Sequence, residues 1–427
     1  MASSRTVVVQ GCRTPFIRAG TSLADLDVRD LGRIAVRELL ERAEVDPADV
    51  DELIFGNVAR PTRYHNLARE VVLAAGLPPA IPAYTVSEAC VSGCQAVTNA
   101  TDLIDRGYAS LVVAGGSESL SNTPLEMQPR FAKRLAAAQQ AKSLQQRVAT
   151  LARVHPRDLM PVPMAIAEVS TGLTMGQSAE IMAGKNGISR QAQDQLALSS
   201  HQRAAADTDS GWLAEDLIPV HVNGGPPVSR DGHIRRDTSL EKLAKLRPVF
   251  DTGNGTITAG NASPLTDGGA ALLLASEERA RAMGLPHLVI VRAYAYAGVD
   301  PADQLLIGPA YAIPKALERA GLDLSEMGVI EIHEAFAAQV LSTTKLLASA
   351  DFAHDKLGRD RAVGAIEQDR LNLSGGSIAL GHPFGATGIR IVNTLMRQML
   401  RRQVRFGLAS VCAAGGIGCA IVLERIE

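Results

Sequence analysis

Cys90 is the first residue whose type and setting indicate chemistry. The strand-like run AYTVSE leads into it, and CVSGCQAV is a small-residue turn that opens a helix. At a helix N-terminus, free N–H groups and the helix dipole stabilise a thiolate and lower the pKa of a cysteine. Cys90 is therefore a candidate nucleophile. The alternative is a buried, inert cysteine, which is the commoner fate of a lone thiol.

Two histidines and a second cysteine could serve such a nucleophile. His382 lies in the glycine-dense turn GGSIALGHPFGATG before another helix, and could take the thiol proton or simply bond the turn backbone. Cys412, in SVCAAGG, could act as a general acid or be a core residue. His333 begins HEAFAAQ at the end of a strand, where Glu334 could orient it, or it could cap the next helix.

Other motifs and the composition exclude several classes of protein. The chain lacks CxxC and HxxxH spacings, so we predict no metal, and it lacks GxxxxGK[ST] and a strand-borne GxGxxG. A net charge of −2 and 4% aromatic residues argue against a nucleic-acid partner. Five cysteines without framework spacing indicate free thiols in a reducing compartment. With no secretory pattern at the N-terminus, we expect a cytoplasmic protein.

An internal repeat indicates how these residues are positioned. The segment from Leu39, LLERAEVDPADVDELIFGN, aligns without a gap with ALERAGLDLSEMGVIEIHE from Ala316. Further on, the turn at Cys90 corresponds to the turn at His382, and ASLVVAGG corresponds to GLASVCAAGG. Strand–helix–strand order with continuous apolar strands indicates an α/β fold of two pseudo-symmetric, layered βαβ halves. A pseudo-twofold axis would bring the helix starts at Cys90 and His382 together.

The repeat also predicts the organisation of the chain. Residues 1–124, completed by about 255–283, would form the N-terminal half, and residues 284–427 the C-terminal half. An inserted loop domain would occupy 125–254. Its basic segment, 130–157, has high helix propensity and seven Lys or Arg residues with no acid. That segment is either a solvated helical face or a contact for anionic lipid, CoA phosphates or a partner subunit.

Taken together and in this order, the motifs resemble the thiolase family over nearly the whole chain. The matching blocks are RTPF, CxSG at Cys90, GGSES, MGQSAE, GNASPLTDGGAA, HEAF, GHPFGATG and CAAGG. Most thiolases have Asn where this chain has His333. The HEAF form and the long basic insertion resemble the β subunit of the fatty-acid β-oxidation (trifunctional) complex. Cys94 departs from the bulky apolar residue common in the family, and Pro264 departs from the Gly usual in biosynthetic thiolases.

The resemblance implies a function: cleavage of 3-ketoacyl-CoA by CoA through a Cys90 acyl-enzyme, giving acetyl-CoA and a shortened acyl-CoA. CoA would be a co-substrate, with no permanently bound cofactor. The expected partners are a second copy in a homodimer or dimer of dimers, an α subunit with hydratase and dehydrogenase activity, and a membrane surface touched by 130–157. The implied catalytic residues are Cys90, His333, His382 and Cys412, with the backbone N–H groups of Cys90 and Ala414 as the oxyanion hole, and Ser263, Ala335, Phe336, Met175 and Gly176 in the CoA and substrate site.

Three alternatives share this fold. A biosynthetic acetoacetyl-CoA thiolase is disfavoured by the HEAF form and the long insertion. A β-ketoacyl synthase-like condensing enzyme would need no second cysteine acid, so Cys412 argues against it. A non-catalytic acyl-CoA- or lipid-binding member of the fold would be expected to lack at least one of Cys90, His382 and Cys412, and all three are present.

Overall fold

The protein is described here by a computed structural model that covers residues 5–162 and 167–426. Residues 163–166 of the predicted insertion and the extreme ends of the two predicted halves lie outside the described residues. The described strands, β1 to β10, are Thr6–Arg13, Ile17–Arg18, Glu52–Gly56, Ala83–Val86, Leu111–Glu118, Thr266–Ser276, Val289–Gly298, Met327–Ile332, Phe406–Ala413 and Ile417–Arg425.

The sheet confirms the predicted pseudo-symmetry. Its strand order is β4-β3-β5-β6-β1-β7-β10-β9-β8, with β2 paired to β6. The halves meet where β1 pairs with β7 at Val7 and Ile290. Outward from this pair, β1-β6-β5-β3 and β7-β10-β9-β8 follow the same sequence of two antiparallel pairings and one parallel pairing. The strand β4 extends the N-terminal half by one further parallel pairing.

The helices cover both faces of each half and also fill the space between the halves. The described helices, α1 to α15, are Val28–Arg42, Leu67–Ala75, Ser92–Asp105, Pro129–Gln140, Leu144–Leu151, Met175–Lys185, Arg190–Asp209, Leu240–Ala244, Glu277–Ala282, Pro301–Gln304, Gly308–Ala320, Ala337–Leu347, Ala350–Leu357, Ser377–Leu380 and Phe384–Arg402.

Three apolar clusters define the layers. One packs α1 and α2 against the outer face of the N-terminal strands, and another packs α11 and α12 against the C-terminal strands. The third lies between the two halves and is built around α3 and α15. Because each face of a sheet must bury its apolar side chains, both halves need the shared central helix layer. The two helices of this layer, α3 and α15, follow the turns that contain Cys90 and His382.

The repeated sequence segments adopt equivalent structures. In one, α1 is followed by a short 3-10 turn, Pro47–Asp49, and by β3; in the other, α11 is followed by Leu324–Glu326 and β8. The helices after the Cys90 and His382 turns are α3 and α15, as predicted. Glycines allow the two to approach closely: a Cβ on Gly93 would lie 2.8 Å from the carbonyl oxygen of Gly385. A side chain there would push the turns apart.

The inserted segment is helical but does not form a single helix. The basic stretch divides into α4 and α5, separated at Ala141–Ser143, where the Ser143 side chain caps α5 by accepting from Gln146 N–H. Leu144 and Val148 are exposed apolar residues on α5. By contrast, α6 and α7 pack against α12 of the C-terminal half. No helix in the described part of the chain is both long enough and apolar enough to cross a membrane.

Candidate active site

Cys90 and His382 meet where the central helices begin. Each lies two residues before the first helical residue, Ser92 in α3 and Phe384 in α15. His382 Nε2 lies 3.2 Å from Cys90 Sγ, although 292 residues separate the two along the chain. The pseudo-twofold relation between the two turns therefore places an imidazole against a thiol.

Thr387 fixes the tautomer of His382. The Thr387 hydroxyl donates to the carbonyl oxygen of Pro383 at 3.2 Å and lies 2.7 Å from His382 Nδ1. Because the hydroxyl proton is already committed, Thr387 Oγ1 accepts from the Nδ1–H group. Nε2 is then the unprotonated nitrogen, which faces the thiol and is able to accept its proton.

Burial keeps this pair neutral. It raises the pKa of Cys90 to about 12, against the opposing influence of two backbone N–H groups, from Ala414 and Cys90, that face the sulfur. Burial, with a smaller contribution from the Arg390 charge, lowers the pKa of His382 to about 3. The sequence-based expectation of a lowered Cys90 pKa is therefore wrong for the resting site, because desolvation outweighs the N–H groups.

The N–H groups of Ala414 and Cys90 converge beside the sulfur. The turn that presents Ala414 contains Gly415 and Gly416, whose φ angles of 80° and 73° favour glycine. Ala89, just before Cys90, has a φ of 46°, a left-handed conformation that costs energy for a residue with a Cβ. Two such donors are suited to holding a negatively charged oxygen on a carbon bonded to Sγ.

His333 completes a cluster with Cys90 and His382. Its ring centroid lies 4.2 Å from that of His382, and its side chain is fully buried. Its Nδ1 contacts Ser377 Oγ at 2.8 Å, whereas its Nε2 has no hydrogen-bond partner among the described residues. Glu334 does not orient His333: its carboxylate accepts from Ile378 N–H at 3.2 Å and from Ser200 Oγ at 2.7 Å.

Cys412 lies near the end of β9, fully buried. Burial and the neighbouring Cys90 raise the pKa of Cys412 well above its usual value, so the thiol is protonated. It belongs to an apolar cluster that also contains Ala335, Phe336 and Met175, three residues predicted to border the substrate.

The other predicted substrate residues adjoin this cluster. Gly176, the second residue of α6, lies so close to Phe250 that a Cβ would approach that ring to 2.2 Å. Ser263 is half-buried, and its N–H donates to the carbonyl of Ala335 at 3.0 Å. The structure thus gathers the predicted residues into one region, while their roles in binding remain predictions.

Three residues around the site were missed by sequence reasoning. Thr387 and Ser377 fix the two histidines through contacts that no motif spacing identifies, although both lie within GGSIALGHPFGATG, the turn that contains His382. Glu168, in the insertion, accepts from Gly415 N–H at 2.9 Å across 247 residues. Nothing in the sequence near Glu168 indicates that contact.

The same atoms also bear on metal binding. Cys90 Sγ and one ring nitrogen each from His333 and His382 lie within 4.8 Å of one another. A soft cation could bind there, but it would occupy both Cys90 Sγ and His382 Nε2, the two atoms arranged to exchange a proton. The arrangement serves proton transfer better, and the predicted absence of a metal stays a prediction.

Comparison with known proteins finds similarity over nearly the whole chain. The family profile "Thiolase, N-terminal domain" matches residues 6–278, and "Thiolase, C-terminal domain" matches 285–425. The chain is 46% identical over 421 residues to the 3-ketoacyl-CoA thiolase of Aeromonas salmonicida, covering 98% of this chain and 97% of that protein. It is 44% identical over 424 residues to the Serratia proteamaculans protein of the same name, with the same coverage.

Solved structures agree as well. The Bacillus anthracis acetyl-CoA acetyltransferase superimposes with a TM-score of 0.85 at 33% identity, and human mitochondrial 3-ketoacyl-CoA thiolase with 0.84 at 32%. Each superposition covers 100% of both chains. With both domain profiles matched and full-length relatives well above 30% identity, the chain belongs to the thiolase family.

Proposed function

We propose that the protein is a 3-ketoacyl-CoA thiolase that cleaves its substrate with CoA, giving acetyl-CoA and an acyl-CoA shortened by two carbons. The observation that carries the proposal is the contact between Cys90 Sγ and the free Nε2 of His382, with two backbone N–H groups beside the sulfur. The full-length relatives named 3-ketoacyl-CoA thiolase support the choice of substrate class.

The first half of the reaction forms an acyl-enzyme. Cys90 Sγ attacks the 3-keto carbon while its proton passes to His382 Nε2. The carbonyl oxygen becomes an oxyanion held by the N–H groups of Cys90 and Ala414. Collapse of this adduct breaks the bond between the second and third carbons, and the electron pair leaves as the enolate of acetyl-CoA. Losing one such donor typically slows a reaction by about 10²–10³-fold.

The enolate needs both a donor and a proton. Its thioester oxygen develops charge that the ring N–H of His333 and the protonated His382 can bind, and the buried Nε2 of His333 is free to do so. Cys412 gives its thiol proton to the second carbon and becomes a thiolate. Its raised pKa suits this role, because the group must carry a proton at neutral pH.

The second half transfers the acyl group to CoA. The Cys412 thiolate takes the proton of the CoA thiol, restoring Cys412. The CoA thiolate then attacks the acyl carbon, and Cys90 leaves as a thiolate that recovers its proton from His382. We assign the pantetheine arm to Ser263, Ala335 and Phe336, and the start of the acyl pocket to Met175 and Gly176, because these residues belong to the apolar cluster of Cys412 or adjoin it.

A biosynthetic acetoacetyl-CoA thiolase is the second candidate. Its supporting observation is the superposition on the Bacillus anthracis acetyl-CoA acetyltransferase. The two candidates differ in substrate length, so turnover on 3-ketoacyl-CoA substrates of four to sixteen carbons separates them. Activity confined to the four-carbon substrate would favour the biosynthetic enzyme over fatty-acid β-oxidation.

The decisive experiment follows the acyl group by mass spectrometry. We expect wild-type protein and Cys412→Ala to acquire an acyl group on Cys90 from a simple acyl-CoA, because that transfer needs no carbon acid. Cys412→Ala should nevertheless lose thiolysis, whereas Cys90→Ser should lose both. Cys12→Ala is the matched control, since Cys12 is a buried free thiol in the outer N-terminal cluster. Acylation of Cys90→Ser at the wild-type rate would refute the assignment of Cys90 as the nucleophile.

We further propose a homodimer. Among the described strands, β4 ends the sheet on the N-terminal side with β3 as its one neighbour, and its residues are all half-buried. An edge strand with unpaired backbone groups is a template for pairing with a second copy. Light scattering checks this: wild type should have twice the chain mass, and Val86→Lys should shift the mass toward a monomer.

Finally, we propose that the protein is cytoplasmic and that 130–157 contacts either an α subunit of a β-oxidation complex or a membrane surface. Exposed apolar residues on α5 beside exposed basic residues support such a contact. Replacing Leu144 and Val148 with Ser should abolish co-sedimentation with anionic vesicles or co-elution with an α subunit, and leave turnover intact. Unchanged binding in both assays would exclude Leu144 and Val148 of segment 130–157 as the contact.

A further inference from the structure

The hydrogen bond between His333 and Ser377 is buried, and its proton comes either from the imidazole ring or from the serine hydroxyl. Ser377 Oγ lies 2.8 Å from His333 Nδ1, and both side chains are fully buried. A neutral imidazole carries one N–H group, on either Nδ1 or Nε2. Which nitrogen carries it decides whether His333 offers a donor to the active site.

Arg390 fixes the direction of that hydrogen bond. Its Nη2 donates to Ser377 Oγ at 2.7 Å, and a guanidinium can only donate. The Ser377 proton therefore needs an acceptor, and His333 Nδ1 is the one acceptor that it contacts among the described residues. If Nδ1 carried the proton instead, the serine proton would be left buried without an acceptor, which is unfavourable. His333 is thus the Nε2–H tautomer.

The turn that carries Ser377 is held on both sides. Glu334 accepts from Ile378 N–H at 3.2 Å and from Ser200 Oγ at 2.7 Å, and Ser200 Oγ in turn accepts from Gly376 N–H at 3.0 Å. A Cβ on Gly376 would lie 2.2 Å from the Glu334 carboxyl carbon, so the turn fits closely over that carboxylate. Ser377 therefore has little freedom to move away from His333.

The other end of the network is also buried. Arg390 and Glu331 are each about 1% exposed, and the nearest nitrogen and oxygen atoms of their side chains lie 3.9 Å apart. The Arg390 charge is thus held inside the fold, where it polarises the Ser377 hydroxyl toward His333. Burial, together with the nearby His382 and Arg390, lowers the pKa of His333 well below its usual value, so the ring stays neutral.

We propose that Ser377, held by Arg390, is a positioning residue that keeps His333 as the Nε2–H tautomer with its N–H directed into the site beside Cys90 and His382. The inference rests on the proposed function only in its consequence: the Nε2–H group is the donor to the enolate oxygen. The tautomer itself follows from the two contacts of Ser377 Oγ, with Arg390 Nη2 at 2.7 Å and with His333 Nδ1 at 2.8 Å.

A double-mutant cycle tests the consequence. Ser377→Ala should lower kcat for thiolysis by about 10- to 100-fold, the scale for misplacing a catalytic group, with little change in KM. In a His333→Ala background the same substitution should change kcat less than about 2-fold, because Ser377 acts through His333. Ser342→Ala, a buried serine whose hydroxyl has no partner among the described residues, is the control. Multiplicative effects of the two substitutions would overturn the proposal.

Nitrogen NMR of ¹⁵N-histidine-labelled wild-type protein tests the tautomer independently of variant folding and of activity. We expect the His333 signals, identified by their loss in His333→Ala or His333→Gln, to show a protonated Nε2 and an unprotonated Nδ1 at pH 7. A protonated Nδ1, or a doubly protonated ring, would overturn the proposal. If wild-type protein showed no thiolysis activity, the proposed function would be refuted. The spectrum would still establish the tautomer of His333, because it requires no turnover.

Discussion

At Cys90 the balance between desolvation and the local N–H donors decides when the reactive thiolate forms. Burial raises the pKa of Cys90 to about 12 and lowers that of His382 to about 3, so the pair rests as thiol and neutral imidazole. The thiolate then appears only as the proton passes to His382 during attack. A permanent thiolate–imidazolium pair would need the opposite order of the two pKa values.

Alkylation of Cys90 by iodoacetamide distinguishes the two states. Since only the thiolate reacts, the rate should rise about 10-fold per pH unit from roughly pH 6 to 9 in a protein whose Cys90 pKa lies above that window. Stopped-flow or mass-spectrometric rates on wild-type protein, with Cys90→Ser as the blank, provide the measurement. A rate independent of pH in this window would indicate a resting ion pair and contradict the neutral state.

Thr387 gives a second prediction at this scale. Thr387→Val keeps the side-chain shape but removes the acceptor for His382 Nδ1–H, so the ring loses its preference for the tautomer with a free Nε2. We expect kcat/KM to fall about 10-fold. Thr394→Val, at a buried position on the same helix, should stay near wild type. Equal losses in both variants would mean that packing, rather than the tautomer, is responsible.

At the scale of elements, the repeat predicted the two pseudo-symmetric halves and the meeting of the α3 and α15 turns, because apolar periodicity and small-residue turns are local signals. The contacts of Thr387, Ser377 and Glu168 could not be predicted in this way. They depend on which side chains become neighbours after two halves and an insertion pack together. The break between α4 and α5 was also missed, because helix propensity alone does not reveal the Ser143 cap.

Glu168 links the insertion to the turn that presents Ala414, since its carboxylate accepts from Gly415 N–H. Glu168→Ala frees that turn, so we expect kcat/KM to fall by up to about 10-fold, less than the loss of an oxyanion donor itself. Glu168→Gln keeps an acceptor and should recover most of the rate. Exposed Glu241→Ala is the control. If the steady-state rate of thiolysis were unchanged in Glu168→Ala, the contact between the insertion and the Ala414 turn would have no influence on the reaction.

Across the whole molecule, the two halves are held together by buried polar groups as well as by the central apolar layer. Glu118, at the end of β5, accepts from Ala59 N–H at 2.8 Å in the N-terminal half and from Gly385 N–H at 3.0 Å at the start of α15. Burial raises the pKa of Glu118 to about 7. The free energy of unfolding therefore depends on pH through groups whose pKa is raised by folding, such as Glu118, and through other groups whose pKa is lowered.

Two further histidines belong to the groups whose pKa is lowered, together with His333 and His382 of the active site. Burial lowers the pKa values of His201 and His233 to about 4, and Arg235 N–H donates to His201 Nδ1 at 3.2 Å. The unfolded chain binds a proton on each histidine below about pH 6.5, whereas the folded chain does so only below about pH 4. Their contribution to stability is therefore full above pH 6.5 and is lost as the pH falls to 4.

His201→Gln removes one such group and leaves Glu118 and the other buried acids in place, so the difference from wild type isolates the histidine. The free energy of unfolding of wild type should fall between pH 7 and 4 by on the order of 2 kcal/mol more than that of His201→Gln. Urea titrations at several pH values measure this, with exposed His65→Gln as the control. Parallel pH curves for wild type and His201→Gln would mean that folding does not lower the pKa of His201.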